Sequence, residues 1–278
     1  MRLVDSHGHL NADRFDDDVD EVIGRARDAG VERILVPGWN HRSSERALEL
    51  AATRPLLDAA VGIHPHDAAR ATAAEWADIE AWARDERVVA IGETGLDSDR
   101  MFSPWAAQLE NLRANLALAL ATGKPAILHC RSRAGERDAQ DALVRELRAA
   151  GFDGAAAREA FGDRPPAVIH SYSGPVDYAD EVIAMGCALA FGGLVFRRGE
   201  EASAEAVGRV PSELLLLETD APFLSPPGAP RSRNAPEFVA ITARWAAERR
   251  GVGEAGLDAF GDALVAAYDA AFPRALPR

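Results

Sequence analysis

Asp5-Ser6-His7-Gly8-His9 follows directly on the short apolar run Leu3-Val4 at the start of the chain. Residues two apart on an extended segment point to the same side. A strand that ends here can therefore offer both imidazoles to one cation. A lone His-x-His is also common as ordinary core or surface decoration. The rest of the chain decides between the two, by whether other strands also end in ionisable side chains.

They do. Short apolar or β-branched runs, each followed by a turn and then by helix-like periodicity, recur along almost the whole sequence. They are LVDSH, ERILVPG, LDAAVGIHP, RVVAIGETG, KPAILHC, PAVIHSYSG, CALAFGG and ELLLLETDAP. Between them lie segments such as VDEVIGRARDAG, with apolar Val19, Val22, Ile23 and Ala26 at helical spacing and Gly30 as a C-terminal cap. Strands alternating with helices predict a (β/α)8 TIM barrel, expected to fill 1–278 as a single domain. An open Rossmann-type sheet is the alternative, but no G-x-G-x-x-G follows the first strand. Phe152–Pro166 reads as an irregular insertion, and Asn234 onward as helices.

Six of the seven histidines, His7, His9, His64, His66, His129 and His170, fall at or just past the C-terminal end of a predicted strand. Glu93 follows the fourth strand and Asp220 the eighth. In a barrel these ends converge on the face that carries active sites. His7, His9, Glu93, His129, His170 and Asp220 then form a nitrogen and oxygen ligand set without thiolate. Such a set suits two divalent ions, Zn, Mn or Mg, which can clamp the oxygens of a displacement at phosphorus. Taken singly, His129 or His170 could equally be a hydrogen-bonded core histidine. Cys130 should turn away from the axis and be buried. His41 reads as a solvated loop residue, and the tryptophans, such as Trp76 and Trp82, as packing.

Composition sets bounds on these readings. The 278 residues are 47% hydrophobic and 27% charged, as in a globular protein, and no apolar run is long enough to span a membrane. The N-terminus lacks the apolar core of a signal peptide, and two cysteines make no disulfide framework, so a cytoplasmic location is expected. A net charge of −13 argues against coating nucleic acid by bulk electrostatics. It leaves room for an enzyme that meets phosphate through cations and a few local arginines. Candidates for such a basic rim are Arg131, Arg133, Arg197, Arg198, Arg231 and Arg233. No heptad or association helix is evident, so a monomer without obligate protein partner is expected.

The stretches DSHGHL (5–10), GIHPH (62–66), AIGETGLD (90–97), ILHCR (127–131), HSYSG (170–174) and ETDAPFL (218–224) resemble, in order, the TatD family of metal-dependent deoxyribonucleases within the amidohydrolase-like barrels. Arg233-Asn234 with Pro236 is similar to that family's RNxP element. The resemblance implies that the six residues above are the metal ligands, with Glu93 bridging. It implies that His64 lies beside the metals and helps hold the substrate phosphate; His66, Arg131 and Arg233 are further substrate-binding candidates. The implied reaction is 3′–5′ exonuclease-like hydrolysis of phosphodiesters, on single-stranded DNA ends, by a two-metal-activated hydroxide with Asp220 as proton acceptor. Two departures stand out. Gly8 replaces the usual cysteine between the first histidines, and Ser98-Asp99-Arg100 replaces an aromatic after Gly95-Leu96-Asp97.

Other readings remain open. Barrel hydrolases of amides, lactones or esters often bridge two metals with a carboxylated lysine; the only lysine here, Lys124, precedes its strand and belongs near the opposite face. Deacylation of aminoacyl-tRNA is a further ester alternative. A histidinol-phosphatase-like barrel fits the ETDAP ending poorly. A metal-loaded barrel that only binds a partner is the remaining reading.

Overall fold

A computed structural model describes residues 1–274; the last four residues of the 1–278 unit lie outside the described part. The strands are β1 (Leu3–Asp5), β2 (Val31–Pro37), β3 (Leu57–Val61), β4 (Val88–Asp97), β5 (Ala126–Arg131), β6 (Ala167–Ile169), β7 (Ala188–Phe191) and β8 (Leu215–Leu217). They pair in parallel and in chain order from β1 to β8. The ends meet beyond the strands proper: Ser6 N–H donates to Leu217 O at 3.0 Å, and Asp220 N–H to His7 O at 2.8 Å. The architecture is the expected (β/α)8 barrel, nearly closed. β3, β4 and β6 to β8 are buried along their whole length, as strands covered on both faces must be.

The helices are α1 (Val19–Asp28), α2 (His41–Thr53), α3 (Ala73–Trp82), α4 (Trp105–Thr122), α5 (Asp138–Ala149), α6 (Ala155–Phe161), α7 (Val176–Ala184), α8 (Glu201–Ala206), α9 (Val239–Arg249) and α10 (Leu257–Ala271). Among the described residues no helix is long and apolar enough to cross a membrane. Gly30 follows α1 with φ +94°, the conformation expected of the residue after a helix cap.

Three expectations need correction. Phe152–Pro166 is not irregular throughout, because Ala155-Ala156-Ala157 are strong helix formers and open α6 after Gly154. His41 is not in a solvated loop. Asn40 accepts from Ser43 N–H and caps α2, which makes His41 its first residue and sets its Nε2 2.9 Å from Asp78 Oδ2. Glu93 does not follow β4 but lies within it, since the strand continues to Asp97.

Candidate metal centre and active site

β4 delivers Glu93 to the barrel axis through an irregularity. Its register against β5 shifts between Ile91 and Thr94. Gly92 and Gly95, at φ +145° and +139°, allow it: a Cβ at Gly92 would lie 2.6 Å from Ile127 O, and one at Gly95 1.9 Å from His129 O. The other side chains arrive from the loops after β1 and β8, which exchange backbone bonds. His9 N–H donates to Ala221 O at 2.7 Å, alongside the Asp220–His7 bond. Asp5 ties the same loops together, accepting from His7 N–H, Thr219 N–H and the Thr219 hydroxyl. Burial pushes the Asp5 pKa up to about 8 against these bonds. Asp220 sits at φ +53°, a left-handed conformation that costs energy and is held by its surroundings. Asn234 supplies part of that hold, donating to Thr219 O and Phe223 O at 2.8 Å each.

The two oxygens of Glu93 face two different groups. Oε2 lies 3.4 Å from His7 Nε2 and 3.6 Å from His9 Nε2, and Asp220 Oδ1 lies 3.4 Å from His9 Nε2. Oε1 lies 2.9 Å from His170 Nε2, 3.2 Å from His64 Nε2 and 3.4 Å from His129 Nδ1. His7 and His9 bring their Nε2 atoms within 3.1 Å of each other, and the His7 ring stacks on His170 at 3.8 Å. Donors bound about 2.0–2.1 Å from one ion are spaced about 3–3.4 Å apart, the spacing seen here. His170 Nε2, although 2.9 Å from Glu93 Oε1, forms no aligned hydrogen bond to it. A ring nitrogen and a carboxylate oxygen facing the same space side by side are how two ligands of one cation sit. The residues present therefore fit divalent metal, in two groups that share Glu93.

The orientation of each ring is fixed from behind. Asp97 Oδ2 lies 2.7 Å from His66 Nε2 and 3.3 Å from His129 Nε2, while Oδ1 accepts from the Asp99 and Arg100 N–H groups. An ionised carboxylate only accepts, so both rings carry their proton on Nε2, and His129 keeps the Nδ1 lone pair toward Glu93. Burial opposes the Asp97 charge, but the His129 and His66 bonds hold its carboxyl below the usual range. His64 Nδ1 accepts from His66 N–H, which leaves the proton on Nε2. Burial lowers the His64 pKa to about 4, so this ring is a neutral donor. Burial likewise opposes the Glu93 charge, yet His64 and His170 hold its carboxyl well below the ordinary value. Glu218 is fully buried, with Oε1 3.4 Å from His170 Nδ1.

His7, His9, Glu93, His129, His170 and Asp220 converge as the sequence suggests, with His64 and His66 beside them. Arg131 and Arg233 are engaged elsewhere. Arg131 pairs with Asp99 at 2.9 Å, and Arg233 donates to both oxygens of Asp18 with its guanidinium 4.9 Å from the Phe15 ring centre. Asp97, Glu218 and Asp5 are further contributors that no strand-end pattern singles out. Their one sequence signal is that each lies inside a motif, DSHGHL, AIGETGLD or ETDAPFL. A Cβ on Gly8 would face Asp5 Oδ2, Ile34 and Thr219, away from the donors, which accounts for how glycine fits where cysteine is usual. Cys130 is buried, as expected, and burial pushes its thiol up to about 12. Lys124 donates to Ala83 O and Asp85 O, in the segment leading into β4, so it enters from the opposite end of the barrel.

Barrel, C-terminal rim and a donor set of nitrogen and oxygen alone are those of the barrel metal hydrolases as a class. The family described as TatD related DNase matches residues 4–266. The chain is 37% identical over 246 residues to the "Uncharacterized metal-dependent hydrolase YabD" of Bacillus subtilis, covering 88% of this chain and 90% of that protein. It is 37% identical over 255 residues to the "3'-5' ssDNA/RNA exonuclease TatD" of Edwardsiella piscicida, covering 89% and 92%. The crystal structure of YjjV, a TatD homolog from Escherichia coli K12, superposes over 99% of both chains with a TM-score of 0.85 at 27% identity. The chain belongs to the TatD-related DNases, a family of metal-dependent hydrolases.

Proposed function

We propose that the chain hydrolyses phosphodiester bonds at the 3′ ends of single-stranded nucleic acid, using two divalent ions held by His7, His9, Glu93, His129, His170 and Asp220. The observation that carries this reading is the division of the Glu93 oxygens between two donor groups, Oε2 toward His7 and His9 and Oε1 toward His129 and His170. A 3′–5′ polarity and a single-stranded substrate are supported by the activity printed for the Edwardsiella relative. Zn, Mn and Mg all suit the donors. Two such ions polarise phosphoryl oxygens and supply hydroxide near neutral pH.

The chain's own residues do the rest. Asp220 takes the proton of the attacking water at its carboxylate, beside His9. His64, neutral with its proton on Nε2, donates to a non-bridging phosphate oxygen, and His66 stands next to it with a ring spacing of 4.3 Å. Arg131, whose pair with Asp99 is partly exposed, can exchange that carboxylate for a substrate phosphate. Arg233 would have to release Asp18 to do so, and its present bonds support a role in holding the loop that carries Asp220. One catalytic domain over 1–278, acting in the cytoplasm as a monomer, completes the reading.

The test is release of nucleotides from 3′-labelled single-stranded DNA, with and without EDTA, by the parent chain and by Glu93→Gln. Metal-dependent release that the variant loses is the expected result. Equal inactivity of two proteins that both hold metal overturns the reading.

A further inference from the structure

Among the described residues, the exposed large hydrophobic side chains are Met101, Phe102 and Phe223, at 40%, 62% and 51% exposure. All three stand at the mouth of the barrel. Phe102 lies in the loop after β4, its ring centre 4.7 Å from that of His66 and perpendicular to it. Phe223 lies in the loop after β8, 6.0 Å from His9 in an edge-to-face arrangement. β4 and β8 are four places apart in a ring of eight, so the two phenyl rings rise from opposite sides with the Glu93 donor set between them. What distinguishes these two rings is their place: each packs edge-to-face against a histidine of the site, on either side of the donor set.

We infer that Phe102 and Phe223 are stacking platforms for the two nucleobases that flank the scissile phosphate; this rests on the phosphodiesterase reading above. Each ring is more than half exposed and lies edge-to-face with a histidine of the site, which sets a stacked base within one nucleotide of the reacting phosphorus. Platforms on opposite rims hold the two bases apart from each other. Adjacent bases in a duplex are stacked and paired and cannot separate in this way, whereas a single strand turns its bases outward at little cost. The pair of rings thus gives a physical origin for preferring single-stranded ends. It asks for no particular base, because every base has an aromatic face.

The test compares the parent with Phe102→Ala and Phe223→Ala on a single-stranded oligonucleotide and on the same strand with its two 3′-terminal nucleotides abasic. Each substitution is expected to raise KM on the ordinary strand roughly 5- to 150-fold. It should leave kcat within a few-fold and the abasic kinetics unchanged, and Phe→Trp should restore KM where Phe→Leu does not. Unchanged KM on the ordinary strand, or equal losses on both strands, overturns the platforms and leaves the nuclease reading standing. A parent that cleaves no strand is tested by quenching of 2-aminopurine placed at the 3′ end. Quenching that both alanine variants lose supports the platforms while the nuclease reading fails, and no binding at all overturns both.

Discussion

Asp97 shows how much one carboxylate outside the donor set can determine. Its Oδ2 faces Nε2 of His66 and His129, and its Oδ1 accepts two backbone N–H groups, so all its acceptor positions near the site are in use. The proton on His129 is thereby confined to Nε2, which leaves Nδ1 as the atom that would face a metal. Asp97→Asn places an amide where two ring N–H groups need acceptors. We expect it to weaken metal binding or turnover about 10- to 100-fold, read by calorimetric titration of the metal-stripped chain with Zn or Mn. Unaltered affinity together with unaltered turnover would show that the ring orientation comes from packing instead. His7, His9 and Asp220 are recognisable as residues, whereas the part played by Asp97 depends on a fold that brings His66 and His129 to it from other strands.

Between elements, α4 and α5 are joined by Arg113 and Glu146, with Nε to Oε2 at 2.7 Å and a second bond at 3.0 Å. The Arg113 bond holds the Glu146 carboxyl below its ordinary value, against the cost of burial. In the window between the folded and the ordinary pKa, the unfolded chain binds more protons than the folded one. The stabilisation is therefore complete above about pH 5 and lost as pH falls through the folded value. Thermal melts in EDTA should show the parent losing Tm more steeply below pH 5 than Glu146→Gln, with the variant lower at neutral pH. Parallel curves would mean that the pair contributes nothing to folding. Gln108 makes a comparable link nearer the site. It accepts from Asp97 N–H and donates to Asp97 O and Ser103 O, which pins both ends of the loop that carries Phe102. Neither link announces itself in the sequence, because helix periodicity tells which face is apolar but not which polar residue meets which across a junction.

Taken whole, the barrel gathers electron-rich groups at one end: four imidazoles and two carboxylates in overlapping clusters that share Glu93 and His7. A cation relieves that crowding and binds only the folded chain. At a free metal concentration about 100 times Kd the stabilisation is about 2.7 kcal/mol, which for a chain of this size shifts Tm by roughly 5–10 °C. Melting with EDTA and with Zn, Mn or Mg restored should show that shift, and the cation giving the largest shift identifies the preferred occupant. Identical melts with and without metal would remove the donor set from consideration as a metal centre.

The sequence by itself determined the alternation of strand and helix, the order of the strands and the identity of six candidate donor side chains on or just after them. These follow from local periodicity and from the rule that consecutive parallel strands lie side by side. Tertiary structure alone decided what those side chains face. Glu93 divides its oxygens because two glycines let β4 kink against β5, Asp220 is held by the bond of its N–H to His7 O and by Asn234 on the carbonyls of Thr219 and Phe223, and Arg233 is drawn to Asp18. Each depends on groups far apart in the chain, and a pattern read along the chain carries distance in sequence but not direction in space.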